Sequence, residues 1–436
     1  DCGACTVVVV EIDRIGDDID VRTVNSCIRF LPTIDGKELI TVEGLRGQDG
    51  GPHPVQRAMV DEHGSQCGFC TPGFVMSLYA LYRNNEHPSR RDIDDALAGN
   101  LCRCTGYRPI IAAARSMYDA NDAWQPERHA AQLRAIQRDE MLEIDCSGRR
   151  YFAPQDIGTL AELFAARPHA TLLAGGTDIG LWVTKQHREL NTIIYTGAVR
   201  ELHEQRASST HLVIGGAVSL TDAIPMLVEH YPGLDEMFRR FASPPIRNSG
   251  TLGGNIANGS PIGDSMPALM VLGASLVLRN GVEQRELPLD EFYRSYQVNE
   301  LEPGEFVASI RVPLPEDGVV VSSQKWSKRF DQDISAVCTA YRLRLDDGVV
   351  AEFRMACGGL AETVRRATTC EGVLAGARWS EDAIEKACAA LAEDFTPITD
   401  MRASADIRLL AAQNLLRRFY LETAAEAPET VYNYGR

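Results

Sequence analysis

Basic residues are in short supply: 44 lysines and arginines stand against 60 aspartates and glutamates in a 436-residue chain, a formal net charge of −16. That balance excludes a general nucleic-acid binder, which needs surplus Lys and Arg to neutralise phosphates; only a local basic patch is left open. No apolar run approaches the roughly 20 residues a membrane-spanning helix requires, so no membrane association is expected. The chain has no solenoid repeat and no low-complexity block, and its glycine-rich stretches lack the Gly-x-Gly-x-x-Gly order of a Rossmann nucleotide loop. It also opens on Asp1 rather than Met. What remains is 44% hydrophobic and 24% charged, the balance of a soluble globular protein, over a length that calls for three or four domains.

Cysteine is where the chain is rich. Seven of its twelve cysteines fall within the first 104 residues, as Cys2, Cys5 and Cys27, then Cys67, Cys70, Cys102 and Cys104. The second group reads Cys-Gly-Phe-Cys, 31 intervening residues, then Cys-Arg-Cys. Four thiolates from two close pairs can surround an iron–sulfur cluster or a zinc ion. Cys-x-Cys is tighter than the usual zinc spacing, which favours a cluster; zinc stays as the alternative. The first group has three cysteines. The plant-type ferredoxin spacing Cys-x4-Cys-x2-Cys…Cys places the missing ligand five residues before Cys2, so the chain reads as the remainder of a longer, electron-transferring protein. A chain this large builds cores without disulfides, and its thiols point to a reducing, cytoplasmic compartment. Cys146, Cys338, Cys357, Cys370 and Cys388 read as ordinary small packing residues.

The chain divides into five stretches. Over residues 1–47, Thr6–Val10 and Val21–Val24 read as strands joined by a charged turn at Asp13–Asp20, and Pro32–Gly36 turns the chain again. This is the rear part of a small β-rich ferredoxin domain of β-grasp type, its N-terminal part missing. Residues 48–120 are helical, with helices beginning at His53–Val60 and Thr71–Tyr79 and further ones at Asp92–Ala98 and Ile110–Tyr118. The second cysteine group therefore lies among helix ends, the first on a sheet loop. Residues 121–150 read as a polar linker, 151–318 as mixed α/β with repeated Gly-Gly steps. Residues 319–436 combine strands at Ala336–Arg344 and Ala351–Ala356 with helices at Ser380–Leu391 and Ser404–Ala424. The fold class is multidomain α+β.

Two glycine loops stand out in the central stretch. Thr171-Leu172-Leu173 opens into Ala174-Gly175-Gly176-Thr177-Asp178-Ile179-Gly180, and successive backbone N–H groups in such a loop can hold a pyrophosphate. Alone it is as well explained by a tight turn. The second loop, Ser249-Gly250-Thr251-Leu252-Gly253-Gly254-Asn255 onward to Ser260, adds hydroxyl and amide groups and is followed by Asp264. Together they could grip a diphosphate and sugar chain from both sides; paired surface turns are the plainer alternative.

These motifs resemble the iron–sulfur and FAD subunit of two-component bacterial xanthine dehydrogenases, within the molybdenum hydroxylase family. The resemblance rests on Asp1-Cys2-Gly3-Ala4-Cys5-Thr6, Gly64–Gly73, Gly99–Tyr107, Leu173–Gly180, Gly250–Ile256 and Lys325–Ser335, and spans essentially the whole chain. The choice of xanthine is less specific than the cysteine motifs, and leans on the fused iron–sulfur and FAD layout with Leu181–Gln186. The resemblance implies two [2Fe–2S] clusters: Cys67, Cys70, Cys102 and Cys104 for the one nearest molybdenum, Cys2, Cys5 and Cys27 for the other. Gln66 and Cys104 would face the molybdopterin, which belongs to a partner subunit. The flavin domain would have the two-subdomain fold of vanillyl-alcohol oxidase and the last domain that of a CO-dehydrogenase flavoprotein. Leu173, Ala174, Gly175, Gly176, Thr177, Asp178 and Ile179 would contact FAD, with Phe241, Ser249, Thr251, Gly254, Asn255 and Asp264 completing the site. Lys325 would approach the isoalloxazine edge, and Asp331 and Asp333 would lie where NAD+ enters. Some members carry a further acid where this chain has Gln332, which softens the negative field there. No substrate-oxidising residue is identified in this chain. The implied activity is xanthine dehydrogenase in a complex with a molybdopterin-binding large subunit, as an α2β2 particle. Alternatives are the equivalent subunit of an aldehyde or N-heterocycle hydroxylase, or a module that only ferries electrons.

Overall fold

The computed structural model describes residues 2–13, 18–47, 50–120, 122 and 124–424. Much of the expected Asp13–Asp20 turn, Asp1 of the first cysteine motif and the last twelve residues of the 319–436 stretch lie outside the described residues. The chain forms two compact units, Asp1–Glu204 with Ala217–Asp222 and Ala242–Thr251, and Gln205–Gly216 with Ala223–Phe241 and Leu252–Arg436. Among the described residues no helix is long and apolar enough to cross a membrane.

In the first unit, β1 (Thr6–Ile12), β2 (Ile19–Asn25) and β3 (Glu38–Ile40) make a three-stranded antiparallel sheet in the order β2-β1-β3. The valine run of β1 alternates only weakly because Val8, Val9 and Val10 are all buried. Cys27 sits on a short 3-10 turn, Ser26–Ile28, directly after β2. Helices α1 (Pro54–Asp61), α2 (Thr71–Asn84), α3 (Arg90–Leu97) and α4 (Arg108–Ser116) follow. His53 caps α1, with Pro54 at its first position, and Ser89 caps α3 through a capping box with Asp92. These are the signals that start helices by satisfying their first amides. Helix α2 is buried continuously from Gly73 to Leu81 and shares one core with β1 and the other three helices.

The stretch 121–150 is not a bare linker. It contains α5 (Pro126–Ile136) and β4 (Leu142–Cys146). Helix α5 buries only Ala130 and Leu133, the latter in the core beneath β1, so its apolar stripe is too narrow to stand out in the sequence. Its other ties are polar: His129 Nδ1 lies 2.7 Å from Glu38 Oε2, and the Trp124 and His129 rings stack at 3.7 Å. Strand β4 is an exposed edge strand, which removes the alternation that marks a half-buried one. Cys146 at its end is exposed rather than packed. With β5 (Arg149–Ala153), β6 (Thr171–Leu173) and β7 (Thr192–Tyr195) it forms a sheet ordered β4-β5-β7-β6. The pairs β5–β7 and β6–β7 are parallel. Helix α6 (Ile157–Ala166) connects β5 to β6, and α7 (Ile179–Thr184) follows the first glycine loop.

The second unit begins with β8 (Gln205–Ala207) and β9 (His211–Gly215), then α8 (Leu220–His230), whose first residues belong to the first unit, and α9 (Asp235–Arg240). The chain returns to the first unit for α10 (Pro244–Arg247) and comes back through α11 (Leu252–Asn258) and α12 (Ser265–Val271). Strands β10 (Ser275–Asn280) and β11 (Glu283–Pro288), the short pair β12 (Tyr293–Ser295) and β13 (Val298–Asn299), and β14 (Phe306–Pro313) follow. An antiparallel sheet has the order β11-β10-β14-β9-β8. A second runs through β15 (Val319–Trp326), β16 (Val337–Asp346), β17 (Val349–Gly358) and β18 (Arg365–Arg366). Helices α13 (Thr368–Leu374), α14 (Glu381–Asp394) and α15 (Ala405–Ala424) pack on it, and Tyr341 stacks on Phe419 with centroids 4.5 Å apart. Cys338, Cys357, Cys370 and Cys388 are all buried here, as expected of packing thiols.

Helix α15 is tied in by Arg408, 2% exposed, which donates to Gly359 O at 3.0 Å, to Ala336 O, and to Asp400 Oδ1 at 2.6 Å. Burial alone would raise the Asp400 carboxyl, but the Arg402 amide, the Arg408 guanidinium and the Ala403 amide outweigh it and bring it down to about 2. A carboxyl depressed in the folded state stabilises above its unfolded pKa and loses that contribution as pH falls through the folded one. Acidification from about pH 4 to pH 2 should therefore remove up to about 2 kcal/mol from the second unit. Asp400→Asn should flatten that part of the stability–pH curve; an unchanged slope in denaturant titrations would remove Asp400 from the account.

Candidate functional site

The sulfurs of the second cysteine group come together in two pairs, each with one member from either motif. Cys67 Sγ lies 3.3 Å from Cys104 Sγ, and the Cys70 thiol donates to Cys102. Burial, then that bond, pushes the Cys70 thiol up to about 11. Burial would raise Cys102 as well, but the Thr105 hydroxyl at 3.1 Å and amide at 3.4 Å outweigh it and favour the thiolate. Tyr107, in a left-handed conformation ahead of α4, accepts the Cys102 N–H on its hydroxyl at 3.0 Å and so pins the loop. Gln66 and Phe69 are exposed beside Cys67 and Cys104.

In the first group, Cys27 donates to Cys5, and burial followed by that bond pushes the Cys27 thiol up to about 11. Burial opposes ionisation of Cys5 too, yet hydrogen bonds from Cys27 and from Asn25 bring its pKa down; Asn25 Nδ2 is 3.7 Å from the sulfur. The Leu101 N–H donates to Cys2 O at 3.0 Å, so the two cysteine loops touch through their backbones. Among the described residues no group of three or more His, Cys, Asp or Glu side chains converges on a single ion position. Paired cysteines ringed by N–H and O–H donors nevertheless suit a two-iron cluster, whose sulfurs accept such bonds. Thr105, Tyr107, Asn25 and Asn100 hold these loops, and only their place beside the cysteines could have signalled it.

The first glycine loop joins β6 to α7. Gly176 has φ +73°, and a Cβ on Gly175 would lie 1.9 Å from Ser249 O, so the two glycine loops press together on their backbones. Leu173 is buried and its carbonyl accepts the Thr196 hydroxyl at 3.4 Å. Asp178 leads α7, its carboxyl raised by burial. On the far side of α7, a Cβ on Gly180 would lie 2.5 Å from Ile28 O, which brings the Cys27 turn directly against this helix. Ser249 and Thr251 belong to the same unit, where Thr251 bridges to Ser219.

The remaining candidates lie in the second unit. Asn255 Oδ1 accepts the Ser265 hydroxyl at 2.6 Å, next to Asp264. Asp264 and Lys325 form a buried ion pair at 2.7 Å, their side chains 2% and 1% exposed. Lys325 Nζ also donates to Asp333 O at 2.7 Å. Among the described residues Asp264 Oδ1 is buried with no partner, a rare state for a carboxylate oxygen and one that suits a polar ligand. Asp333 turns its carboxylate back onto the Arg329 amide at 3.0 Å, within the loop that also carries Asp331 and a left-handed Gln332. Sequence reasoning missed Arg240, one residue before Phe241. Its guanidinium binds Lys325 O at 2.9 Å and Phe330 O at 2.8 Å and lies over the Phe330 ring, clasping both ends of that loop.

Three family comparisons cover these regions. Residues 41–115 match a [2Fe-2S] binding domain, 143–315 the FAD binding domain in molybdopterin dehydrogenase, and 322–423 the CO dehydrogenase flavoprotein C-terminal domain. The chain is 31% identical to xanthine dehydrogenase of Emericella nidulans, over 90% of this chain and 33% of that protein. It is 34% identical to xanthine dehydrogenase of Drosophila subobscura, over 83% and 31% respectively. The chain thus spans about a third of the length of the curated relatives it matches. A chain of the carbon monoxide dehydrogenase from Hydrogenophaga pseudoflava superposes with a TM-score of 0.59 and 28% identity, covering 63% of this chain and 96% of that one. The architecture is therefore that of an iron–sulfur flavoprotein, with a ferredoxin-like region, a helical [2Fe–2S] domain, an FAD-binding domain and a C-terminal flavoprotein domain. The chain is related to the molybdenum hydroxylases that include xanthine and CO dehydrogenases.

Proposed function

We propose that the chain is the electron-transferring part of a xanthine dehydrogenase, working in the cytoplasm with a molybdopterin-binding subunit in an α2β2 particle. The overall reaction is xanthine, NAD+ and water to urate and NADH, with purine oxidation on the partner. The domains run 1–47, 48–120, 151–318 and 319–436. Bound iron–sulfur clusters carry electrons singly, and a bound flavin pairs them for transfer to NAD+ as hydride. Cys67, Cys70, Cys102 and Cys104 would hold one cluster, and Cys2, Cys5 and Cys27 three corners of the other. Gln66 and Cys104 face the partner's molybdopterin. The two glycine loops with Phe241, Asn255, Asp264 and Lys325 would hold FAD, and Asp331 and Asp333 shape the approach of NAD+.

One observation carries this reading: the order of contact within the first unit. The Cys102 loop touches the Cys2 loop through Leu101, and the Cys27 turn touches the helix of the first glycine loop through Ile28. Sites that hand on electrons must lie close, and here each site abuts the next. The reading is tested on the intact protein. Four irons, four acid-labile sulfides and one flavin per chain are expected. Flavin reduction by xanthine should require the molybdopterin-bearing partner, while NADH should reduce the flavin without it. Two irons with all seven cysteines intact would sink the two-cluster assignment. A partnered complex active on aldehydes or N-heterocycles but inert to xanthine would move the substrate within the superfamily.

A further inference from the structure

The two cysteine loops do not merely touch; they close around one buried amide. Asn100 is 0% exposed. Its Nδ2 donates to Ser77 Oγ on α2 at 2.8 Å and to Leu97 O at the end of α3 at 3.4 Å. Its Oδ1 is buried without a hydrogen-bond partner among the described residues. Two backbones close on that oxygen. A Cβ on Gly3 would lie 2.4 Å from it and 2.3 Å from Gly99 O; a Cβ on Gly73 would lie 2.6 Å from it and 2.1 Å from Gly3 O. Gly3, at φ +77°, belongs to the Cys2–Cys5 loop; Gly73 stands three residues after Cys70; Asn100 stands two residues before Cys102. An unpaired buried carbonyl oxygen keeps its full desolvation penalty, and the Cα–H groups facing it give back only weak contacts. A residue kept for stability alone would not leave it so.

We infer that Asn100 is a positioning residue: locked to α2 through Ser77, it fixes the separation between the loop of Cys2 and Cys5 and the loops of Cys70 and Cys102. This rests on the reading of both loops as cluster-bearing. Gly3 and Gly73 are glycine so that the backbones can reach the amide, and the Leu101–Cys2 hydrogen bond is the latch it aligns.

The test uses the intact, cluster-loaded protein with Asn100→Ala, and Asn100→Ser as a second variant that retains a hydroxyl in the space of the amide. Iron and sulfide are counted first: a parent with fewer than four irons overturns the cluster reading, and this inference with it. With both clusters assembled, the magnetic splitting between the two reduced clusters should lose its single resolved value in Asn100→Ala. Hydrogen exchange at the Leu101 amide should quicken about tenfold, as the latch opens locally. Asn100→Ser should fall between parent and Ala in both readouts. Gly73→Ala, which forces the loops apart, should narrow the splitting. Splitting and Leu101 exchange identical to the parent in Asn100→Ala, with four irons in place, would overturn the assignment.

Discussion

Replacing Lys325 with methionine should cost the second unit about 3–5 kcal/mol, the usual penalty for stripping one partner from a buried ion pair. The side chain is 1% exposed and its partner, Asp264, 2%. Methionine fills much the same volume, so the loss is that of the charge rather than of packing. Asp264 would be left buried with neither oxygen neutralised, since Oδ1 already lacks a partner among the described residues. Pairing Lys325→Met with Asp264→Leu should recover most of the loss, because an apolar replacement of both ions is often neutral or stabilising. Denaturant unfolding followed by exchange of the β15 and β16 amides reads both variants. The double variant should regain stability without regaining flavin, which separates the structural share of the pair from its proposed share in the flavin site. A loss below about 1 kcal/mol in Lys325→Met, the scale of a surface pair, would mean that solvent reaches the carboxylate.

That outcome bears on why the pair exists. A wholly apolar corner would hold β15, β16 and α12 together at least as well. An aspartate with one oxygen tied to lysine and the other unsatisfied is better suited to receive a polar ligand than to stabilise a core. Arg240 extends the argument: by binding Lys325 O and Phe330 O it holds the strand end that carries the lysine and the loop that carries Asp331 and Asp333.

Some of this was legible in the chain itself. The grouping of the seven cysteines was legible from their short spacings, though not that Cys67 would meet Cys104 across the two motifs, and α1 and α3 are started by the local capping signals His53-Pro54 and Ser89 to Asp92. Helix α2 was marked by a long apolar run that the structure buries. What local pattern did not carry was long-range. Helix α5 buries only Ala130 and Leu133 and contacts Glu38, 91 residues distant in sequence, through His129, so its composition reads as linker. The Lys325–Asp264 pair joins residues 61 apart, and Arg240 reaches 85 residues to Lys325. The lysine was found only by likeness to a family, the aspartate also by its place after the second glycine loop, and their bond to one another was not foreseen. Asn100 sat in plain view between two cysteine motifs, but nothing in its neighbours indicates that its carbonyl would be left bare.

The largest effect on flavin should come from one methyl group at Gly175. Its Cβ would lie 1.9 Å from Ser249 O and 2.8 Å from Gly250 Cα. Both obstacles are backbone, so no side chain can swing aside, and the two glycine loops must part. Loops that hold a diphosphate through successive backbone N–H groups lose several contacts at once when they separate. Gly175→Ala should therefore weaken flavin binding at least about a hundredfold, the equivalent of two or three lost hydrogen bonds. Iron at the Cys67–Cys104 loops should hold, because their sulfurs and the Asn100 contacts lie away from the glycine loops. Gly176 offers the comparison. It needs a left-handed backbone, which costs an alanine about 1–2 kcal/mol, but the nearest atoms to its Cβ are Leu173 Cδ1 at 3.3 Å and the Phe30 ring at 3.6 Å, which can yield. Gly176→Ala should cost flavin about tenfold or less. Gly372, in α13 with nothing within 4 Å, should accept alanine without loss. Flavin content after gel filtration, with iron assayed on the same samples, ranks the three. If Gly175→Ala kept its flavin while Gly176→Ala lost it, backbone strain rather than the close approach of the two loops would be what the first glycine loop is built around.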